Sequence, residues 1–367
     1  MDVREGKLRS IIEEGKTRVP HVLGEIQREF QDRKDTIVKP DSIIYHTRPY
    51  NGRRSSFDHT PINDIGVELF KRGVGSMSEL TLTNFSKNQL LSKLGIPVSY
   101  ADRLMKLGEN ELLIDNLNKM TERRCENGML IRHIDGVAKG ILSPSYRMMD
   151  ASIVFEGFVK ACLESGYVPY GGGITESRYH LSFIQTEVFN PTPNEYIVFG
   201  LIVKTSDYGA SALIVEQVIL RITCQNLMTG MRIQNQVHLG KRFTSNESFV
   251  QISSETHMLD SKATASAIRD AVKSSYQLHE GLKETIENSI DKDVNINTEV
   301  EKMKKKGFSK EFADKVKNTY EMDIPVELLP KEESAWRLSN TISLLANSKD
   351  ISPDLSLDAQ KYAMGTL

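Results

Sequence analysis

Apolar residues recur at helical spacing through residues 2–36, alternate or run together between about 128 and 224, and return to helical spacing after 250. The chain therefore reads as helix, sheet, helix. In the first segment Val3, Leu8, Ile11, Ile12, Val19, Leu23, Ile26 and Phe30 make a stripe that Pro20 interrupts. Two short helices are predicted there, because an interior proline removes a hydrogen bond and clashes with the preceding turn. Residues 37–80, with Pro40, Pro49, Pro61 and the Gly73-Val-Gly-Ser76 run, are predicted to be irregular. Three short helices are predicted over 84–124. Leu90, Leu91 and Leu94 share a face, Gly95 stands where a C-cap glycine would, and Ser99 beyond Pro97 can cap a second helix that Gly108 closes. The third begins at Glu111 and runs toward Lys119.

From Gly128 the period changes. Met129–Ile134 and Val137–Leu142, separated by Asp135-Gly136, predict a hairpin. Ala151–Glu164 carries a helical face of Ile153, Val154, Phe158, Ala161 and Cys162, and Pro169-Tyr-Gly-Gly-Gly173 reads as a flexible connector. Strands are predicted over 178–188, 196–204 and 212–224, the middle one almost continuously apolar as a doubly covered strand would be. The expected fold is α+β, an antiparallel or mixed sheet of order β-β-α-β-β-β with a helical N-terminal segment and a helical C-terminal third. The expected organisation is an N-terminal arm (1–80), an α+β core (81–250) and a helical region (251–367), in which Ile268 to Ile290 outlines one long amphipathic helix and Trp336 is core.

Composition narrows the class. The 367 residues include 39% hydrophobic ones, enough for a packed core, and 47 Lys+Arg against 49 Asp+Glu leave a net charge of −2. A nucleic acid would have to be held by a local cationic patch. Cys125, Cys162 and Cys224 are odd in number and far apart, so neither a disulfide framework nor a structural zinc is expected. The opening Met1-Asp-Val-Arg-Glu5 runs into no apolar stretch and no segment approaches the ~20 apolar residues of a membrane helix, so a protein of the bacterial cytoplasm is expected, with no membrane partner.

From about residue 85 the chain resembles the phage/plasmid-like protein family, a domain of unknown function of bacterial viruses and plasmids. The resemblance is carried, in order, by Leu90-Leu-Ser-Lys-Leu-Gly-Ile-Pro-Val-Ser-Tyr100, Gly140-Ile-Leu-Ser-Pro-Ser-Tyr-Arg147 with Asp150, Val203-Lys-Thr-Ser-Asp-Tyr-Gly-Ala-Ser211, Leu220-Arg-Ile-Thr-Cys-Gln-Asn-Leu-Met228 and Ala335-Trp336. Family patterns often place Asn-Gly after the cysteine; here it is Asn226-Leu227. The resemblance implies a phage-type protein and brings no established activity with it.

Catalytic signatures are missing. There is no Walker-type phosphate loop, no Gly-x-Ser-x-Gly elbow, and the eight histidines show no metal-ligand spacing, so no catalytic residue, metal or cofactor is expected. His133, Asp135 and His180 could meet on a polar sheet face, or be ordinary strand positions. Leu90–Leu104 has the outline of a helix-turn-helix, yet its second helix offers only Arg103 and Lys106 as cations, so a packing pair is the simpler reading. Lys302 to Lys306, balanced by Glu299 and Glu301, reads as a solvated face.

Two acid-free stretches are the most suggestive feature. Tyr45, Arg48, Tyr50, Arg53 and Arg54 mix rings with cations, and Arg221, Arg232, Lys241 and Arg242 follow one another with no carboxylate between. Cations that track phosphates beside rings that stack on bases are what sequence-tolerant single-strand binding needs. The predicted strand order is also similar to the core of phage single-strand annealing proteins, an analogy of topology alone. The expectation is a cofactor-free, homo-oligomeric single-stranded DNA-binding and annealing protein. Its phosphate contacts would be Arg48, Arg53, Arg54, Lys139, Arg147, Lys204, Arg221, Lys241 and Arg242, with Tyr45 and Tyr50 stacking on bases. An interaction protein that binds a host defence or replication factor, and a nucleic-acid enzyme using His133, Asp135 and His180, are the alternatives.

Overall fold

The computed structural model describes residues 3–47, 62–71, 75–144, 146, 151–193, 195–222, 226–236, 254–348 and 350–367. The class is α+β as expected, with two sheets and helices at both ends of the chain. Helix α1 (Val3–Asp32) passes through Pro20 without a break. Ile11, Val19, Val22 and Ile26 are buried on both sides of the proline. The apolar face packed along its whole length outweighs the ~3 kcal/mol that an interior proline costs.

Strands β1 (Lys34–Val38), β2 (Ile43–Thr47), β3 (Ile62–Lys71) and β4 (Gly75–Thr83) follow where irregular chain was predicted. With β5 (Met129–Ile134) and β6 (Val137–Leu142) they form a six-stranded sheet of order β1-β5-β6-β4-β3-β2, antiparallel except for the β4–β6 pair. β4 runs across position 80, and β1 to β4, the described strands of the first 80 residues, pair within this sheet. The β5–β6 hairpin is as predicted. Asp135 and Gly136, both at positive φ, make the turn that an Asp-Gly pair favours. On one face lie α2 (Asn84–Leu94), α3 (Val98–Leu107) and α4 (Asn110–Arg124), which bury Leu90, Leu91, Leu94, Ala101, Leu104, Leu113 and Leu117 against the sheet. The α2–α3 pair is therefore a packing element. Thr83 caps α2 by accepting from the Ser86 amide, and Gly95 and Gly108 close α2 and α3 as expected, whereas α3 starts at Val98 with no side-chain cap from Ser99.

After α5 (Ala151–Glu164) come β7 (Val168–Ile174), β8 (Tyr179–Ile184), β9 (Ile197–Thr205), β10 (Leu213–Arg221) and β11 (Asn226–Gln236), an antiparallel meander of order β11-β10-β9-β8-β7. The predicted β-β-α-β-β-β run is thus present but extended by β7 and β11, and it is divided between two sheets. The glycine run at 171–173 is edge strand, not a flexible connector. α1 lies so close to it that a Cβ on Gly15 would sit 2.2 Å from the Pro169 carbonyl oxygen, and Arg18 Nε donates to the Gly172 carbonyl at 2.8 Å. A helix laid along the edge covers strand groups that would otherwise invite pairing with another chain.

One face of this second sheet is covered by α5 and the long α6 (Ser254–Ile290), through Val154, Phe155, Phe158, Ile268 and Val272. The bundle α7 (Ile296–Lys305), α8 (Lys310–Glu321), α9 (Ala335–Ala346) and α10 (Pro353–Met364) gathers around Trp336, buried as expected, and reaches the sheet at Phe199, Ile219 and Met228. The opposite face, carrying Val198, Ile202, Val218 and Leu227, meets Ile11 of α1 and Leu357 of α10. Among the described residues no helix is long and apolar enough to cross a membrane.

Candidate nucleic-acid interface at the junction of the sheets

Four of the residues expected to touch DNA lie in described chain, and all four are buried. Tyr45 is 2% exposed, backed by Thr121 of α4, whose hydroxyl donates to the Tyr45 oxygen at 3.1 Å. Strand alternation turns it toward the helices. No base can stack on it there, and that expectation is corrected. Lys139 of β6 reaches Glu29 of α1 at 2.6 Å. Lys204 of β9 contacts Glu216 of β10 at 2.7 Å and donates to Thr229 of β11 at 2.9 Å, with burial depressing its pKa and Glu216 opposing that shift. Arg221 is fully buried, paired through Nε and one terminal nitrogen with Glu195 at 2.6 and 2.8 Å, and it donates to the Val326 and Leu328 carbonyls. These three cations are internal ion pairs, not phosphate contacts. Arg48, Tyr50, Arg53, Arg54, Arg147, Lys241 and Arg242 lie outside the described residues.

The sheets meet where α1 ends. The Glu29 carboxylate accepts from Lys139 at 2.6 Å and from the hydroxyls of Tyr179 at 2.7 Å and Tyr208 at 2.6 Å. Burial, then the Glu29 charge, raises both phenols well above their ordinary pKa, so they stay protonated donors. Just beyond α1, Arg33 holds the Asp207 carboxylate at 2.8 Å, while Arg132 takes Asp35 bidentately at 2.8 and 2.7 Å and also donates to the Asp207 carbonyl. Burial alone would raise the Asp35 carboxyl, but the hydrogen bonds and charge of Arg132 outweigh it and hold it below the ordinary range. Ser206 Oγ accepts from the Tyr208 and Ala210 amides and fixes the β9–β10 turn. Gln89 of α2 bridges that turn to β6, donating to the Tyr208 carbonyl and accepting from the Ile141 amide.

Two of the segments that carry the family resemblance, 140–147 and 203–211, therefore meet here. A Cβ on Gly140 would lie 3.4 Å from Tyr208, and the Tyr146 hydroxyl donates to the Ser206 carbonyl. Of their residues the sequence offers Arg147 and Lys204 as phosphate contacts; Lys204 pairs inside the second sheet, and it is Tyr146, Asp207 and Tyr208 that fasten the sheets together. Arg33, Asp35, Glu29 and Tyr179 belong to the same network and carried no local signal. Their partners are about a hundred residues or more away, a separation that no motif spacing records.

Some of the chain bordering the expected phosphate contacts also reaches the junction. The stretch after Thr47 returns at Ile62, which pairs with Thr83 beside the start of α2, and the Phe85 amide there donates to Glu176 in the β7–β8 turn. In the second sheet, Tyr179 pairs with Thr205, Lys204 with Ile214, and Leu213 with Gln236, the last described residue before Lys241 and Arg242. Tyr146, the residue before Arg147, packs its ring against the Arg132 guanidinium, 5.7 Å from the ring centre.

The His133, Asp135 and His180 cluster does not form. His133 is on β5 and bonds Thr36 at 3.2 Å, Asp135 is in the hairpin turn, and His180 is on β8 in the other sheet. Among the described residues no group of three or more His, Cys, Asp or Glu side chains is placed to hold a metal. Cys125 and Cys162 are buried free thiols, and burial raises both. Cys224 lies outside the described residues. The lysines near 302–306 include Lys302 and Lys304 paired with Glu299 and Glu301, a solvated helix face as read. Comparison of the chain with protein-family models, with curated proteins and with solved structures finds no match in any of the three.

Proposed function

We propose that this is a phage-type single-stranded DNA-binding protein that anneals complementary strands in the bacterial cytoplasm, as a homo-oligomer and without a cofactor. The observation that supports the reading is that chain bordering the expected phosphate contacts meets the junction of the sheets, at Ile62 and at Tyr146. The chain leading to Arg48, Tyr50, Arg53 and Arg54 leaves the six-stranded sheet at Thr47 and re-enters it at Ile62. The chain leading to Lys241 and Arg242 leaves the second sheet at Gln236, and Arg147 follows Tyr146. Tyr146 and the Ile62–Thr83 pair border the inter-sheet contact, whereas Thr47 lies on the edge strand β2 and Gln236 on the edge strand β11, opposite Leu213. Lys241 is five residues from Gln236, a span of at most ~18 Å of extended chain. The phosphate-contact set is accordingly Arg48, Arg53, Arg54, Arg147, Lys241 and Arg242, with Tyr50 as the stacking ring.

Fluorescence anisotropy with labelled single-stranded and duplex oligonucleotides across a salt series tests this. Single-strand affinity is expected to fall linearly in log salt, by roughly 0.7 per neutralised phosphate. The double charge reversal Arg53→Glu with Arg54→Glu should weaken binding and flatten that slope. Unchanged binding removes the first stretch from the interface, and no binding at low salt ends the proposal.

A further inference from the structure

A second polar cluster lies nearer the start of α1, on the face of the second sheet beneath α10. A cavity of about 310 Å³ opens there between α1, β7–β9 and α10. That is the low end of the ~300–1,000 Å³ typical of small-molecule sites. Glu14 and Arg18, exposed on α1, stand at its edge, and neither has an ion-pair partner among the described residues. Its walls include the Tyr170 ring and the apolar side chain of Leu357. His180 and Gln360 also line it. Gln360 is 6% exposed and spends its Nε2 on Asn347 Oδ1 and Ser356 Oγ, both at 3.3 Å, which leaves Oε1 as its free acceptor. That Oε1 and His180 Nδ1 are buried with no hydrogen-bond partner among the described residues. A buried polar atom left bare costs ~1–3 kcal/mol.

From this juxtaposition we propose that the cavity is a binding site for a nucleoside 5′-monophosphate, free or as the phosphorylated end of a strand. The Arg18 guanidinium takes the phosphate in the two-pronged manner that suits phosphate oxygens. Glu14 accepts from sugar hydroxyls. The base lies against Tyr170 and Leu357, and one of its N–H groups completes Gln360 Oε1. His180 serves as a neutral hydrogen-bonding ring, because burial and the charges of Lys204 and Arg18 push it down to about 3. One arginine beside one carboxylate favours a single phosphate over a triphosphate. None of these residues belongs to the acid-free stretches, so the inference stands or falls separately from the annealing reading.

The test is calorimetric titration of the full chain with the four ribonucleoside and four deoxyribonucleoside 5′-monophosphates, with nucleosides, inorganic phosphate and ATP as controls. At least one monophosphate is expected to bind saturably, about tenfold or more tighter than its nucleoside, the worth of one charge-assisted hydrogen-bonded contact. Arg18→Ala, which also gives up the Nε bond to the Gly172 carbonyl, should abolish the preference for monophosphate over nucleoside. Gln360→Leu should weaken both about tenfold. If Gln360→Leu does not fold, Arg18→Ala alone decides. A 5′-phosphorylated oligonucleotide that competes better than its unphosphorylated twin identifies the strand end as the source; a mononucleotide that binds as tightly identifies the free form. No saturable binding by any monophosphate at millimolar concentration, or binding indifferent to both substitutions, overturns the proposal.

Discussion

Helix α1 touches two polar clusters, and they follow opposite rules. Around Glu29, at its C-terminal end, one carboxylate takes an ammonium and two phenols, and the neighbouring arginines each hold an aspartate. Around the cavity, nearer the start of the helix, Arg18 and Glu14 lack ionic partners and two buried atoms stay bare among the described residues. A saturated network in a low-dielectric setting fixes one arrangement of the elements that meet there; an unsaturated one lowers stability until something completes it. The first cluster has the marks of a fastening between sheets, the second those of a place where a molecule binds.

The largest effects that sharpen this contrast lie in the saturated pairs. Glu29→Leu leaves the Lys139 ammonium buried without its counter-charge, and Arg221→Met does the same to Glu195. Each is expected to lower unfolding free energy by roughly 3–5 kcal/mol in denaturant titrations, the usual cost of breaking a buried pair from one side. A loss below about 1 kcal/mol for Glu29→Leu would mean that the junction is not fastened there. Next in size, Tyr208→Phe removes one hydrogen bond to a charged acceptor, at about 1.5–3 kcal/mol. The Tyr179 and Tyr208 oxygens lie 2.9 Å apart beside the same carboxylate, so the Tyr179→Phe, Tyr208→Phe pair should be non-additive in a double-mutant cycle.

The fold was legible wherever the determinant was local. The Asp135-Gly136 turn, the glycine caps at 95 and 108, and the apolar face of Ala151–Glu164 each state their structure within a few residues. It was illegible where a distant partner decided the outcome. Pro20 breaks isolated helices, but the sheet beneath α1 outweighs it; the 171–173 glycines suggest a loose connector, but they pair in an edge strand where a Cβ on Gly172 or Gly173 would press on Leu181 or His180 of β8, and it is Gly15 that lets the helix lie close. The chemistry was misread for the same reason. Lys139, Lys204 and Arg221 look in the sequence like cations free to meet phosphate, and the acids that neutralise them, Glu29, Glu216 and Glu195, come from other elements or from elsewhere along the chain. Local charge density reports exposure only when no distant carboxylate returns to the same point.

A third buried polar group gives a smaller, pH-dependent effect. His279 of α6 stacks on Phe199 at 5.2 Å and meets Tyr167 edge-on, and neither ring nitrogen has a hydrogen-bond partner among the described residues. Burial, aided by the Lys283 charge, pushes it from 6.5 down to about 4. Between those values the unfolded chain binds a proton that the folded chain refuses. The contribution is therefore complete above pH 6.5 and lost as pH falls toward about 4, with a slope of at most about 1.4 kcal/mol per pH unit. His279→Phe should flatten that acid limb and raise stability near pH 5 relative to the parent. An unaltered pH profile would show that the ring is not held neutral.

The smallest expected change is the one that bears most on the contrast. If the cavity group were structural, Gln360→Leu would break the bonds to Asn347 and Ser356 and cost more than 2 kcal/mol, as loss of a working buried hydrogen bond does. Both bonds are long at 3.3 Å, while the bare Oε1 already carries a desolvation penalty that leucine removes. The two terms are of similar size and opposite sign, so the substitution should shift unfolding free energy by no more than about 1 kcal/mol in either direction. Set beside Glu29→Leu in the same denaturant series, this near-neutrality separates a polar group retained for its partner in the fold from one whose partner comes from outside. A cost as large as that of Glu29→Leu would place Gln360 in the first kind and erase the distinction between the two ends of α1.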